Sequence, residues 1–356
     1  MRAREFIIGL ALLAALSAPA GNVRLAATPA LTPDGSTLVF EWQEDLWTVP
    51  VAGGQARALT RHPALDRFPV VSPDGKSVAF MSNRDSTYQT WIIPLESGEA
   101  RQVTRHSEGS GPQDWFPDGR RLIVRGARDS GDFLASRFFA VDVDDAKAER
   151  QLFDEPGEWA RVSPDGGRIL YMHGGDSVYR RGYRGSLAAT IWLHDLAANT
   201  FTNAARSADG AECRWPLWRP DGKGFYFVRE DASRASNLWE KDLATGEERQ
   251  RTFLAPPGVF FPGISRDGST LVFRCGFDFY RWSPADPAEP SLIQITAPPS
   301  SAPAATSRLT LTRADNHDTP GSVSFNPEGD EVLFTTGGDL WVMDTELREP
   351  VAITRG

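Results

Sequence analysis

Apolar and polar residues alternate along this chain in short bursts, and each burst follows the same kind of turn. A four-residue signature occurs seven times: TPDG at 32–35, SPDG at 72–75, FPDG at 116–119, SPDG at 163–166, RPDG at 219–222, SRDG at 265–268 and NPEG at 326–329. Proline presets the first turn dihedral, aspartate bonds back to its own backbone, and glycine supplies a positive φ. The third and fifth residues after each glycine are apolar: Leu38/Phe40, Val78/Phe80, Leu122/Val124, Ile169/Tyr171, Phe225/Phe227, Leu271/Phe273 and Val332/Phe334. A period of two marks a strand with one buried face.

Each unit continues into a strand carrying an aromatic residue, at Trp47, Trp91, Phe139, Trp192, Trp239, Tyr280 and Trp341, and several close on a short strand ending in threonine, as at Thr60, Thr104, Thr296 and Thr354. With the strand before each turn, this makes four strands per unit. Repeated four-stranded antiparallel units are the blades of a β-propeller. The fold class predicted is therefore all-β, and the aromatics are read as core between blades rather than as a stacking platform for sugars or bases.

Successive turn acids are 40, 44, 47, 56, 46 and then 61 residues apart, and the last gap holds APPSSAPAATS at 297–307, which reads as a linker. The predicted order is a six-bladed propeller over 21–296, the linker 297–307, and one extra blade over 308–356; the alternative is a single seven-bladed ring with a long insertion. The chain ends just after a unit-closing ITR, where earlier units run into another, so 308–356 reads as the opening of something longer.

Charge and composition narrow the field. The net charge is −9, with 38 Lys+Arg against 47 Asp+Glu, which argues against nucleic acid as a partner. Arg2 and Arg4, the apolar run at 6–16 and the small-residue pattern at 18–20 form an export signal over 1–20; the run is too short to span a bilayer. The mature chain is then expected in the periplasm or secreted, with no membrane span. Cys213 and Cys275 allow one bridge, which the sequence leaves open.

Six stretches carry a family resemblance: DLW (45–47) with GGQARALT (53–60), SPDGKSVAF (72–80), RRGYRGSLAATIW (180–192), NLWEKDLATGEERQRT (237–252) and GGDLWVMD (337–344). Together they resemble the N-terminal TolB-like, WD-like propeller region of tricorn-type serine peptidases, with GYRGS the most specific match. The resemblance implies a six-bladed ring followed by a seven-bladed one, a role as a peptidase's accessory module, and self-association. The family's PDZ-like and catalytic domains have no counterpart here.

No catalytic apparatus is recognisable: there is no G-x-S-x-G elbow and no H-E-x-x-H. No catalytic residue, metal ligand or cofactor is therefore assigned. His62 and His106 share a TRH ending, so repeat symmetry explains them; His194 is read as solvated or at the core edge. Asp45, Asp85, Asp129, Asp176, Asp231, Asp278 and Asp339 recur on one set of hairpin loops, where they are read as local caps rather than as a calcium site. Arginines gather on the same loops. Arg181, Tyr183 and Arg184 in the longest loop, with Arg128 and Arg84, are the candidate binding residues, suited to a peptide carboxylate; salt bridging to the recurring aspartates on the same loops, leaving an ordinary solvated face, is the competing reading. The loops at 203–216 and 297–320 are expected to fold over this face. The partners expected are peptides or proteins. The function expected is peptide binding for substrate admission in an exported tricorn-like peptidase; the alternatives are a free-standing periplasmic TolB-like scaffold, or a hydrolase or lyase with a central-channel site.

Overall fold

The computed structural model describes residues 21–298 apart from 86, 97, 129–135, 146–147 and 176–179, and residues 324–354 apart from 337–338 and 345–350. Every regular element among them is a strand. Seven sheets have four antiparallel strands each, paired in chain order. The first is Ala27–Leu31, Thr37–Trp42, Asp45–Pro50 and Arg57–Ala58; the seventh is Ser324–Phe325, Glu331–Thr336, Asp339–Asp344 and Val351–Ala352.

The turn chemistry is the one the sequence dictates. In the first turn the Gly35 N–H donates to the Thr32 carbonyl at 2.9 Å, and Gly35 sits at φ 68°. The Asp34 carboxylate accepts from the Thr32 hydroxyl at 2.6 Å and the Ser36 N–H at 3.1 Å. The same bonds recur at 72–75, 163–166 and 265–268. Register follows from the turn. In all seven sheets the fifth residue after the glycine lies directly opposite the aromatic of the next strand: Phe40 opposite Trp47, Phe80 opposite Trp91, Val124 opposite Phe139, Tyr171 opposite Trp192, Phe227 opposite Trp239, Phe273 opposite Tyr280 and Phe334 opposite Trp341. A slip of one residue would turn each pair to the wrong face.

The closing threonines lock the outer strand. Thr60 accepts from the Leu46 N–H at 2.9 Å and donates to Asp45 at 3.0 Å. Thr104 does the same with Thr90 N–H and Gln89, and Thr252 with Leu238 N–H and Asn237. Asp45, which also accepts from the His62 N–H at 3.2 Å, thus holds the closing segment of its sheet rather than its own hairpin, and glutamine or asparagine replaces it elsewhere. His62 and His106 accept from the N–H two residues on, at 3.1 and 3.2 Å, so both serve the same turn.

Neighbouring sheets pack through apolar faces. The first strands lie side by side along the axis, that of the first sheet between those of the second and the sixth. Phe40, Leu38 and Val49 of the first sheet share a buried cluster with Val272, Phe279 and Ile293 of the sixth. A small ribbon reinforces this junction: Gly21–Asn22 pairs antiparallel with Ile295–Ala297, which pairs parallel with Gly54–Gln55. The seventh sheet touches the sixth through Trp341, whose ring meets Phe277 edge-on at 4.7 Å.

Two expectations change. His194 is buried, not solvated: it stacks on Phe153 at 4.6 Å and meets Phe201 edge-on at 4.2 Å, because the faces of the third and fourth sheets close over it. The long loop expected at 203–216 contracts to 206–212, since Thr200–Ala205 and Cys213–Trp218 are strands. Residues 1–20 and most of 297–320 lie outside the described residues.

Candidate functional site

Two cavities lie along the axis, one toward each face. The one at the Pro-Asp-Gly turns, about 160 Å³, is lined by residues of the first strands and turns of sheets one to six. The other, about 220 Å³, opens toward the hairpin loops and is lined by Phe68, Trp159, Phe261, Met81 and prolines of the first strands. Arg161 lines both.

The channel's aromatic lining has a backbone cause. Each of the first six sheets has a register shift in its first strand, at 27–30, 67–70, 112–114, 158–161, 214–217 and 260–263. At five of them one residue takes a positive φ: Thr28 (47°), Phe68 (53°), Trp159 (54°), Trp215 (52°) and Phe261 (49°). Bulky residues seldom adopt this region, and a bulge re-aims the side chain it carries. The four aromatic side chains meet as one group: Phe68 to Trp159 at 6.1 Å, Trp159 to Phe261 at 5.9 Å and Trp215 to Phe261 at 5.1 Å. Proline follows Thr28, Phe68, Trp215 and Phe261, which the axial strand tolerates because its outer edge has no ladder partner. The signal was present in the sequence: each of these residues stands four before the first residue of its turn.

Charged groups sit among the rings. Arg161 Nη1 donates to the carbonyls of Gln113 (2.6 Å) and Ala160 (3.0 Å), and its guanidinium lies 5.9 Å from the Trp159 ring. Burial lowers the Arg161 pKa, with the nearby Asp114 opposing. The Asp114 carboxylate itself accepts from the Trp115 and Val162 N–H groups. Near the loop-face mouth, Arg67 lies 3.5 Å from Glu41, whose carboxyl burial pushes above its ordinary range. At the opposite mouth stands Arg266, where the other turns have proline; its Nη2 reaches the Trp115 carbonyl of the third sheet, at 3.4 Å.

The candidate loop residues are held by acids and rings. Arg84 donates to the fully buried Asp66 at 2.6 Å and lies over the Phe80 and Trp91 rings. Arg128, itself buried, pairs with Glu149 and lies over Phe139. Arg184 bridges Glu230 (2.9 Å) and Asp209 (3.5 Å), and the Gly182 N–H donates to the same Glu230 at 2.8 Å. Tyr183 carries Arg180 over its ring at 4.6 Å, and its hydroxyl accepts from the Leu187 N–H. A Cβ on Gly185 would stand 2.3 Å from the Tyr183 hydroxyl, which explains the second glycine of GYRGS. Arg181 and Tyr183 line a cleft of about 20 Å³, room for about one water. Arg181, Tyr183 and Arg184 are thus together on one loop, while Arg84 and Arg128 stand on the second and third sheets. Asp66 for Arg84, Glu149 for Arg128, and Glu230 and Asp209 for Arg184 come from the strands and loops around them.

Among those aspartates, Asp231 accepts from the Ser233 N–H at 2.8 Å and from Asn237, and Asp278 holds Arg24 at 2.9 Å; Asp129 and Asp176 lie outside the described residues. Among the described residues no three His, Cys, Asp or Glu side chains converge as a metal site. Cys213 and Cys275 are free thiols; burial pushes Cys213 up to about 11.

Four-stranded sheets arranged about a shared channel define a β-propeller. The sequence profile of the tricorn protease N-terminal β-propeller domain matches residues 23–288, and the chain belongs to that family. It is 25% identical over 264 residues to tricorn protease homolog 1 of Streptomyces coelicolor, which covers 74% of this chain but 24% of the relative. Its fold matches the crystal structure of the tricorn protease at a TM-score of 0.64 and 18% identity, over 94% of this chain and 32% of that one. A putative TolB from Agrobacterium tumefaciens matches at a TM-score of 0.53 and 20% identity, over 64% of this chain and 80% of that one. The chain thus spans about a quarter of the length of the curated relative. No helix among the described residues is long and apolar enough to cross a membrane.

Proposed function

We propose that this chain is the peptide- or protein-binding propeller of an exported tricorn-like peptidase, and that it admits substrate rather than hydrolysing it. The observation that carries the reading is an axial channel with an aromatic loop-side half, in a chain of the tricorn N-terminal propeller family. In this reading residues 1–20 direct export to the periplasm or beyond. Residues 21–296 form one ring of six blades, supported by the packing of the first strand against both the second and the sixth sheets. Residues 297–307 link it to an extra blade at 308–356. Arg181, Tyr183 and Arg184 form the rim a peptide meets first, with Arg84 and the buried Arg128 as further candidates. A peptide carboxylate there must displace Asp66, Glu149 or Glu230 from its arginine, so the rim selects weakly and the channel binds. The test is fluorescence anisotropy with labelled unstructured peptides, followed by mass analysis of the recovered peptide. Saturable binding without cleavage is expected; absence of saturable binding, or cleavage by this chain alone, would overturn the reading.

A second reading, a protein-interaction scaffold of TolB-like kind, is favoured by the seventh sheet, where Phe325, Val351 and Ile353 are exposed. Self-association through that sheet would appear as concentration-dependent mass in light scattering.

A further inference from the structure

We propose that Arg161 anchors the C-terminal carboxylate of a peptide whose last side chain is aromatic or otherwise bulky and apolar, with that side chain seated among Phe68, Trp159 and Phe261. This rests on the peptide-binding reading above, and adds to it a position in the channel and the end of the peptide that is held.

Three observations converge. The first is the state of Arg161. Its Nη1 is occupied by two backbone carbonyls, and Asp114, the nearest acid, is satisfied by two backbone N–H groups. Nε and Nη2 have no hydrogen-bond partner among the described residues, while Arg84, Arg128 and Arg184 all sit on carboxylates. A guanidinium with two free donors offers the planar fork that a carboxylate matches. Burial disfavours its charge, and an incoming anion relieves that penalty.

The second is its place. Arg161 lines both cavities, so it stands at the floor of the aromatic cup. A bare anion such as phosphate would reach the guanidinium and leave the cup empty. A residue carrying both a carboxylate and a large apolar group fills both.

The third is the far end of the channel. Arg266 crosses from the sixth sheet to the Trp115 carbonyl of the third, at the position where other turns place a short proline. It narrows that mouth, so a peptide enters by its end rather than threading through. Charge then selects which end. The lining carries Arg125, Arg161 and Arg266 against Asp114 and Glu158, an excess of positive charge in a chain of net charge −9. A peptide's amino terminus is repelled and its carboxylate drawn in.

The experiment is calorimetric titration of the full chain with acetyl-Ala-Ala-Phe as the free acid and as the C-terminal amide. The acid is expected to bind about ten- to a hundredfold tighter, the worth of hydrogen bonds to a charged group. Arg161→Gln should bring the acid to the level of the amide. Should that variant fail to fold, Arg161→Lys, which keeps the charge but not the fork, should shrink the ratio, and Trp159→Ala should weaken both forms while preserving it. The double variant Arg181→Gln/Arg184→Gln should leave the ratio intact. Equal binding of acid and amide would overturn the proposal. So would a ratio that survives Arg161→Gln but is lost in the Arg181/Arg184 variant, a result that moves the anchor to the loop rim and leaves the peptide-binding reading standing. Binding of longer peptides but of neither tripeptide would overturn this site alone; no binding of any peptide would overturn both.

Discussion

Phe279 belongs to the sixth sheet, yet its ring is buried against the first. It is 2% exposed and meets Phe40 edge-on at 5.8 Å, inside a cluster that includes Leu38, Val49 and Ile293. If the sheets spiralled without meeting, this ring would lie on an open end. Phe279→Ala removes it and leaves a cavity that strands on both sides hold open, at a cost of about 3–5 kcal/mol. Part of that loss belongs to the ring pair, about 0.5–1.5 kcal/mol beyond area burial. The assay is urea unfolding followed by tryptophan fluorescence, with Leu187→Ala as the control; Leu187 is 59% exposed, so its change should stay within about 0.5 kcal/mol. A double-mutant cycle with Phe40→Ala isolates the contact, and a coupling of about 0.5–1.5 kcal/mol is expected. A Phe279→Ala cost no greater than that of Leu187→Ala, or two phenylalanine losses that simply add, would contradict the packing of the sixth sheet on the first.

Other consequences are as direct. Burial lowers the His194 pKa, so the unfolded chain takes up a proton near pH 6.5 before the native one does. Stability should then fall as pH drops below about 6.5, by up to about 1.4 kcal/mol per pH unit, flattening below the native pKa; His194→Leu should remove that slope from urea midpoints measured between pH 7 and 5, and an unchanged slope would count against it. Gly258 sits at φ 80°, and a Cβ there would stand 2.0 Å from the Ser236 carbonyl. Gly258→Ala should lower stability by more than about 2 kcal/mol, read from the same melts; a neutral substitution would contradict the close approach. Cys213 is buried, with its thiol pushed up to about 11, so it should resist iodoacetamide at pH 8 and react only after unfolding, as mass spectrometry of its peptide would show.

What was legible in the sequence is what depends on neighbours along the chain. The turn acids bond to residues two away, and the apolar pairs after each glycine set a register that holds in all seven sheets. What was not legible arises where distant segments meet. His194 is buried by Phe153 and Phe201 only once two sheets pack. Phe68, Trp159 and Phe261 come from the second, fourth and sixth sheets and touch only around a common axis. The acid that holds Arg184 is Glu230, 46 residues on, which nothing in the local sequence marks. The arginine cluster and its pairing with acids were therefore open to a sequence reading, while the acids that pair with Arg84, Arg128 and Arg184 were not. Nor was the contrast that pairing creates with Arg161, which no motif marks.

The proposed closure over six sheets predicts that the seventh is dispensable to the ring. The most direct measurement is thermal unfolding, by circular dichroism, of a chain ending at residue 298 beside the full chain. Losing the Trp341 contact to Phe277 should shift the midpoint by no more than a few degrees, about 1 kcal/mol, with a single cooperative β transition kept. A chain that loses its β spectrum or its cooperative transition on removal of residues 299–356 would show that the seventh sheet is a member of the ring.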